Sequence, residues 1–226
     1  VIFVAHSTTQ ATNALIEGDV ANVGVIGVGP KGVGGWIAKA QTNMKDINLG
    51  SGRFIRLQNR YICDENLSDE LVADTIRSLV GDGAQVIVAS ESYGVDDMEN
   101  ETGICKIAKD MGLEATAASE ITKLYGLTRR TRTAAINASI LPKMLNTANS
   151  TEQSVKSAGV EVPLMIMRGD GGVMEISEMK KRPVLTMLSG PAASVMGSLM
   201  YLRASNGVYF EVGGTTTNIG VIKDGR

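Results

Sequence analysis

Short apolar runs alternate with helical patterns through the first half of this 226-residue chain, and this alternation limits the folds open to it. Apolar runs rich in β-branched residues at 20–28 and 85–89 predict buried strands. Between them, Ser68 precedes a helical pattern with acidic residues in its first turn, which suits the positive end of a helix. Strands separated by helices of this length favour crossover connections, so we expect an α/β fold with a largely parallel sheet.

Shorter patterns predict the remaining elements. Helices are expected over 8–17, 99–111, 128–158 and 189–203, and strands over 1–5, 113–118, 164–167, 183–188, 208–212 and 218–222. Pro142 has no N–H to donate, so a break is expected inside the third of these helices. Five glycines and Pro30 make residues 27–35 a predicted loop. A domain boundary is expected between residues 120 and 160.

Composition excludes several classes of protein. A formal net charge of −2 offers no basic field for nucleic acid. No apolar run reaches the roughly 20 residues that a membrane helix needs, so no membrane partner is expected. Two cysteines cannot form a disulfide framework, which makes a reducing, cytoplasmic setting the default expectation. Because the chain opens on Val1 in mid-strand, we expect it to be a piece of a longer protein.

The strongest local motif is Glu211-Val212-Gly213-Gly214-Thr215-Thr216-Thr217-Asn218, where one predicted strand ends and another leaves. Glycines without a Cβ let backbone N–H groups and hydroxyls converge on a phosphate. The alternative is an ordinary Gly-Gly turn of a β-hairpin, and the motif alone favours that reading.

Three further segments place polar residues where strands end or helices begin. Asp170 lies among glycines after an apolar strand, where it forms either a catalytic carboxylate or a plain acidic turn. The segment at 189–194 opens a helix with Pro191 and small residues, which suits either ligand approach or tight packing. The lone His6, with the polar residues up to Asn13, follows the first strand and is more often structural than catalytic.

A cluster of three arginines marks the start of the long predicted helix, at Arg129, Arg130 and Arg132. Arginines at a helix start can bind an anion. A solvated helix end, or ion pairs across a domain boundary, is the favoured alternative for these three side chains.

Taken in order, five segments resemble the hydantoinase A / 5-oxoprolinase family. They are 6–15, 128–138, 167–174, 186–195 and 211–222, and they span nearly the whole chain. This family is similar in fold to sugar kinases, actin and heat-shock chaperone ATPases. The resemblance implies α/β, actin-like ATPase (ribonuclease H-like) lobes with mixed sheets flanked by helices, here incomplete. It also implies an N-terminal α/β region over 1–125 and the start of an ATPase lobe over 126–226.

The resemblance further implies an A subunit that uses ATP and Mg²⁺ to open a cyclic amide such as hydantoin or 5-oxoproline. The amide oxygen would be phosphorylated and water would then attack the activated carbon. The implied partner is a B-type subunit, and a homo-oligomer is left open. Two alternatives stay open beside this function: a nucleotide-binding sensor or partner module without amidase activity, and a subunit of a ketone carboxylase.

Site residues are carried over from the family position by position. Asp170 and Glu211 are implied as catalytic, and Glu211 and Asn218 as metal ligands. The implied nucleotide contacts are Thr8, Thr9, Gly190, Gly213, Gly214, Thr215, Thr216 and Thr217, and the implied substrate contacts are Asn13, Gly171 and Gly172.

The sequence departs from the family pattern in two ways that bear on these assignments. Most relatives have Asp at the places of Glu211 and Asn218, so one carboxylate is replaced by an amide. The family's first phosphate hairpin is expected before residue 1, and the rest of the second lobe after residue 226. We therefore expect this chain alone to hydrolyse ATP poorly or not at all.

Overall fold

The computed structural model describes residues 2–203, 205–213 and 217–225. The chain forms two compact units. We call residues 14–143 the central unit, and residues 1–13 together with 144–226 the terminal unit. The expected division into domains 1–125 and 126–226 stays a prediction.

The helices and strands are numbered here in chain order. They are β1 (Val4–His6), α1 (Gln10–Glu17), β2 (Val23–Gly29), α2 (Gly32–Thr42), β3 (Ile47–Gly50), β4 (Arg53–Ile55), β5 (Leu57–Cys63), α3 (Asp69–Gly81), β6 (Val86–Glu91), α4 (Glu99–Asp110), β7 (Glu114–Ala117), α5 (Ala118–Ile121), α6 (Leu127–Ser157), β8 (Leu164–Met167), β9 (Val173–Glu175), α7 (Ile176–Lys181), α8 (Ser189–Leu202), β10 (Gly207–Val212) and β11 (Thr217–Ile222).

The central unit is built on a parallel four-stranded sheet in the order β5–β2–β6–β7. Every residue of β2 and β6 is buried, as the continuous apolar runs predict. Helix α3 begins at the Ser68 cap, whose hydroxyl accepts from the Leu71 N–H, and it places Val72, Ile76 and Leu79 in the core. The predicted parallel α/β arrangement is confirmed here.

The prediction of a loop over residues 27–35 is wrong, because β2 runs to Gly29 and α2 begins at Gly32. The glycines serve close packing between the strand and the helix that follows it. A Cβ on Gly27 would lie 2.2 Å from the Thr42 hydroxyl, and one on Gly35 would lie 1.8 Å from the Pro30 carbonyl oxygen. Glycine content therefore predicted a loop where the structure has a strand packed closely against a helix.

The predicted break at Pro142 is also wrong, since α6 continues from Leu127 to Ser157. A proline inside a helix removes one hydrogen bond and crowds the carbonyls of the preceding turn. One of those carbonyls, that of Ser139, accepts from the Ala21 N–H at 2.8 Å. Burial of neighbouring Ala138 and Leu141 further holds this turn in place.

The terminal unit contains two small sheets. Strand β1 pairs in parallel with β8, and β8 pairs with β9 in antiparallel. Strands β10 and β11 form a separate antiparallel hairpin that contacts α8. The predicted strand at 183–188 is wrong, because Pro183–Thr186 forms a 3₁₀ turn in which the buried Thr186 hydroxyl donates to the Pro183 carbonyl.

Gly35→Ala should destabilise the protein by about 1–3 kcal/mol, because its Cβ overlaps the Pro30 carbonyl and backbone must move. The matched control is Gly103→Ala in the exposed middle of α4, where no described atom lies within 4 Å of the new methyl. That control should stabilise the protein by about 0.5–1 kcal/mol. Urea denaturation at constant m value measures both. Equal effects of the two substitutions would contradict the packing role of Gly35.

Candidate functional site

Strand pairing brings two of the singled-out segments to one sheet edge. In the parallel β1–β8 pair, His6 lies opposite Ile166, so both strands end at the same edge. The chain then continues from β1 into the segment that contains Thr8 and Thr9, and from β8 into the turn that contains Asp170. The carboxyl ends of parallel strands are the usual place for ligands in open α/β sheets.

Ser189, the first residue of α8, joins this edge to the start of the chain. Its hydroxyl donates to the Thr8 carbonyl at 2.9 Å and lies 3.4 Å from the Thr8 N–H, which donates to it. Both residues are buried. The Thr12 hydroxyl accepts from the Leu188 N–H at 3.0 Å, and this adds a second tie between α1 and the start of α8.

These hydrogen bonds bring four of the predicted site residues close together. The Thr9 methyl lies 3.6 Å from the position that a Cβ on Gly190 would occupy. The Thr9 hydroxyl accepts from the Asn13 side-chain amide at 3.4 Å. Thr8, Thr9, Asn13 and Gly190 thus lie together at the end of the β1–β8 pair. We call these four residues, with Ser189, the threonine cluster.

The turn after β8 is held by its own side chains. The Asp170 carboxylate accepts from the Gly172 N–H at 3.0 Å and pairs with Arg168. Those two contacts hold the pKa of the exposed Asp170 carboxyl below its usual range, with the Gly172 N–H as the larger cause. Gly171 has a φ of +86°, a value that L side chains rarely adopt. Its Cβ direction points at Met196 of α8 at 3.2 Å, so this turn packs against the helix that begins at Ser189.

The β10–β11 hairpin places Glu211 opposite Asn218. The Asn218 amide donates to the Glu211 carboxylate at 3.2 Å, and both side chains are half-buried. Gly213 follows β10, and Thr217 is the exposed first residue of β11. The predicted phosphate contacts at Gly214, Thr215 and Thr216 lie outside the described residues.

The donor set of this hairpin fits only a lightly held cation. In the part of the chain that the structure describes, no three His, Cys, Asp or Glu residues form a metal-binding group. One carboxylate at Glu211 and one amide oxygen at Asn218 suit Mg²⁺ that takes most of its ligands from phosphate and water. These residues therefore fit a nucleotide-bound Mg²⁺ and do not form a protein cage for the metal.

Arg130 of the central unit contradicts the favoured expectation of a solvated helix end. Its side chain is fully buried, and it donates to the Leu124 carbonyl at 2.7 Å and to the Glu91 carbonyl. Burial lowers the pKa of this guanidinium. Its Nε has no acceptor among the described residues. Arg130 thus connects the last residue of β6 with the segment before α6.

Glu101 is a second buried charge that sequence reasoning missed. It lies on α4, and its carboxylate accepts from the N–H groups of Glu91 and Ser119 and from the Ser119 hydroxyl. Burial raises the pKa of Glu101, while these hydrogen bonds favour its ionised form. A glutamate in an otherwise polar helical stretch gave no signal of this role. The tie between Thr12 and Leu188 was missed for a similar reason, since hydroxyl contacts between distant segments leave no local pattern.

Comparison with known proteins identifies relatives for much of the chain. Residues 130–226 match the model of the hydantoinase/oxoprolinase family. An uncharacterized protein of Methanocaldococcus jannaschii is 27% identical over 143 residues, which cover 61% of this chain and 21% of that protein. The gamma subunit of acetophenone carboxylase from Aromatoleum aromaticum is 23% identical over 251 residues, which cover 97% of this chain and 34% of that subunit.

Two solved structures share the fold. An ATP-dependent acetone carboxylase in its nucleotide-free form superimposes with a TM-score of 0.73 at 18% identity, over 98% of this chain and 35% of that one. The ATP-dependent caprolactamase of Pseudomonas jessenii superimposes with a TM-score of 0.67 at 20% identity, over 95% of this chain and 34% of that one. The expected α/β fold class is confirmed. The chain spans about a third or less of the length of these relatives.

No helix among residues 2–203, 205–213 and 217–225 is both long and apolar enough to cross a membrane.

Ser189→Ala should destabilise the protein by about 1–3 kcal/mol, because the buried N–H and carbonyl of Thr8 both lose their partner. The matched control is Ser198→Ala on the same helix, whose hydroxyl bonds only within α8, and it should change stability by less than about 0.5 kcal/mol. Urea denaturation gives both values. Amide exchange at Thr8 should also accelerate in the Ser189 variant alone, and unchanged exchange there would contradict the tie.

Proposed function

We propose that this chain, whose residues 130–226 match the model of the hydantoinase/oxoprolinase family, is part of an A-type subunit that uses ATP to open a cyclic amide. The observation that supports this most is the threonine cluster, which joins two of the family-like segments at one sheet edge. Both solved relatives are ATP-dependent by their names, and one of them is a lactamase.

The chemistry of a cyclic amide explains why ATP is needed. An amide carbonyl is a poor electrophile, and its oxygen is a poor leaving group. ATP with Mg²⁺ would supply a phosphoryl group to that oxygen, which makes the carbon open to attack by water. The protein then has to hold phosphates in place, orient the ring and admit one water molecule.

Each predicted site residue has a defined task in this proposal. Gly213 and Gly214 leave the backbone bare, so that N–H groups and the hydroxyls of Thr215, Thr216 and Thr217 can donate to phosphate oxygens. At the other segment, the N–H groups of the first turn of α8, around Gly190, can donate in the same way. Thr8 and Thr9 add the threonine cluster's hydroxyls to the nucleotide side.

The substrate side of the site is assigned to the neighbouring residues. Asn13 offers an amide that can donate to and accept from the amide group of the ring. The backbone of Gly171 and Gly172 is assigned to contact the ring beside Asp170. The lowered pKa makes the Asp170 carboxylate a weak base, so its assigned task is to orient the attacking water by accepting a hydrogen bond from it.

Mg²⁺ is assigned to Glu211 and Asn218, with the phosphates as its main ligands. Of the two, Glu211 supplies the only carboxylate, so its loss should weaken nucleotide binding in the presence of Mg²⁺ more than in its absence.

The subunit and compartment follow from the same proposal. An A-type subunit would work with a B-type subunit, which supplies the rest of the enzyme. The two cysteines fit a reducing cytoplasm, since both are free thiols in the structure. Burial raises the pKa of Cys105 to about 12, so this thiol takes no part in catalysis as a nucleophile.

Ketone carboxylation is the second candidate. Two relatives are carboxylases by name, the acetophenone carboxylase gamma subunit and the acetone carboxylase. The same phosphate-holding residues would serve that reaction, because enol and bicarbonate oxygens can be activated by phosphorylation as an amide oxygen can. The two candidates differ in the substrates that phosphate release from ATP requires. The amidase requires a cyclic amide alone, and the carboxylase requires bicarbonate together with a ketone.

The double substitution Gly214→Ala with Thr215→Ala should lower phosphate release by about 100-fold or more, because a methyl group obstructs the phosphate and a donor is lost. The assay uses the full-length protein with its B-type subunit, ATP, Mg²⁺ and a panel of hydantoins, 5-oxoproline and lactams. Malachite green detection of phosphate gives the rate.

Gly197→Ala is the matched control, because no described atom lies within 4 Å of its added methyl on α8. This variant should retain the wild-type rate. Survival of turnover in the double variant would contradict the phosphate assignment. Phosphate release that requires bicarbonate and a ketone would select the carboxylase, and nucleotide binding without release on any substrate would select a sensor module.

A further inference from the structure

The central unit has the topology of a sheet that binds ligands at one defined point. From β2 the chain crosses to β5 on one side, then returns to β6 on the other side of β2 and continues outward to β7. The order of strands therefore reverses between β2 and β6. In open parallel sheets of this kind, ligands bind in the crevice outside the carboxyl ends of the two strands at which the order reverses.

A cleft of about 290 Å³ lies at this reversal point. Pro30, which follows β2, lines one wall, and Ser92 and Tyr93, which follow β6, line another. The remaining lining residues come from α2 and from the segment that leads into α6: Gly34, Ile37, Ala38, Gln41, Tyr125 and Leu127. This volume is suited to about one nucleoside.

The turn from β2 into α2 carries a dinucleotide-type fingerprint, Gly27-Val28-Gly29-Pro30-Lys31-Gly32. This spacing is weak evidence alone, but here it joins a buried strand to a helix, as such fingerprints require. A Cβ on Gly27 would overlap Thr42, and one on Gly29 would lie 2.9 Å from the Tyr61 hydroxyl. Those two glycines serve packing. By contrast, Gly32 has a φ of +73° and faces no described atom within 4 Å.

Two tyrosine rings line the cleft, and the buried Arg130 binds the backbone near both of them. Tyr93 and Tyr125 are 72% and 69% exposed, although both line the cleft. The buried Arg130 donates to the carbonyls of Glu91 and Tyr125, which fixes the two segments that carry these rings. The Tyr125 hydroxyl also donates to Asp96 at 2.6 Å. Exposed aromatic faces at a cleft offer a stacking surface to a planar heterocycle.

A carboxylate lies at the end of the neighbouring strand. Asp64 follows β5 directly, and the next residue, Glu65, forms an ion pair with Lys31 of the fingerprint. This ion pair brings the end of β5 next to the glycine turn. In dinucleotide-binding sheets, a carboxylate at this place accepts from ribose hydroxyls.

We propose that the central unit binds an ADP-ribose-containing nucleotide along this edge of the sheet, with one nucleoside in the cleft and the rest beside it, as a site separate from the β10–β11 hairpin. The diphosphate would lie at Gly32, a ribose at Asp64, and the second ring system against Tyr93 and Tyr125. The inference does not depend on the proposed function, because none of these residues belongs to the threonine cluster or to the hairpin.

Trp36 provides the measurement. It is the only tryptophan of the chain, is 74% exposed, and lies on α2 two residues after Gly34 of the cleft. Its fluorescence is followed during titration of the 226-residue chain with ADP-ribose, NAD⁺, ADP, ATP and inorganic pyrophosphate. We expect a saturable change with ADP-ribose and NAD⁺ in the micromolar to low-millimolar range, and at least tenfold weaker binding of pyrophosphate.

Three variants assign the signal to the cleft. Tyr93→Ala and Tyr125→Ala should each weaken binding of NAD⁺ by about tenfold, because a stacking face is lost. Asp64→Asn, which keeps the shape of the side chain, should weaken ADP-ribose without changing pyrophosphate. Tyr201→Ala, an exposed tyrosine of the terminal unit, is the matched control and should bind as the wild type does.

The outcomes separate this inference from the proposed function. The double variant Gly214→Ala with Thr215→Ala should leave the Trp36 titration unchanged, whatever it does to phosphate release. The inference is overturned if none of the nucleotides saturates the Trp36 signal at concentrations up to roughly 10 mM. It is also overturned if pyrophosphate binds as tightly as ADP-ribose, or if the Tyr93, Tyr125 and Asp64 variants, each shown to fold by its urea transition, bind as the wild type does.

Discussion

The buried hydroxyl of Ser189 is the contact on which the terminal unit depends. It satisfies both the N–H and the carbonyl of Thr8, a residue 181 positions earlier in the chain. A buried backbone group without a partner is costly, so this hydroxyl makes the passage of the chain from β1 into α1 possible next to α8. The parallel β1–β8 pair and the Thr12–Leu188 contact act in the same place. Residues from the two ends of the sequence therefore share one sheet edge.

The central unit uses buried charge for a comparable purpose. Glu101 accepts three hydrogen bonds from the last residue of β6 and from Ser119 of α5, and Arg130 donates to the carbonyls of Glu91 and Leu124. Buried ionised groups are weak contributors to stability, because their desolvation offsets much of what they gain. Their effect here is to fix the conformation of particular loops. In both units, buried polar side chains thus form hydrogen bonds with the backbone near the ends of parallel strands. Ligands of such sheets bind at those ends.

The elements that the sequence predicted correctly are those marked by a local pattern of residues. The buried strands β2 and β6 and the Ser68 cap followed from apolar runs and from the acidic first turn of α3. Glycine and proline gave the wrong signal at residues 27–35 and at Pro142, because close packing overrides the local preference at both places. The strand expected at 183–188 failed for the same kind of reason, since Thr186 bonds within its own turn.

The sequence predicted which segments contribute to the candidate site, but it did not predict which of their residues contact one another. Family-like segments named Thr8, Thr9, Asn13 and Gly190, yet the sequence did not indicate that the Ser189 hydroxyl would bond to the backbone of Thr8. The burial of Arg130 was hidden because an arginine at a helix start ordinarily extends into solvent. Such contacts are decided by tertiary packing between residues far apart in the chain, which no local period records.

The central claim is that the threonine cluster and the β10–β11 hairpin hold the same nucleotide. Amide hydrogen exchange of the full-length protein, with and without a non-hydrolysable ATP analogue and Mg²⁺, tests it most directly. Exchange should slow at Gly213–Thr217 and, together with it, at Thr8, Thr9 and the first turn of α8. Protection confined to other segments, or no protection at saturating analogue, would contradict the claim.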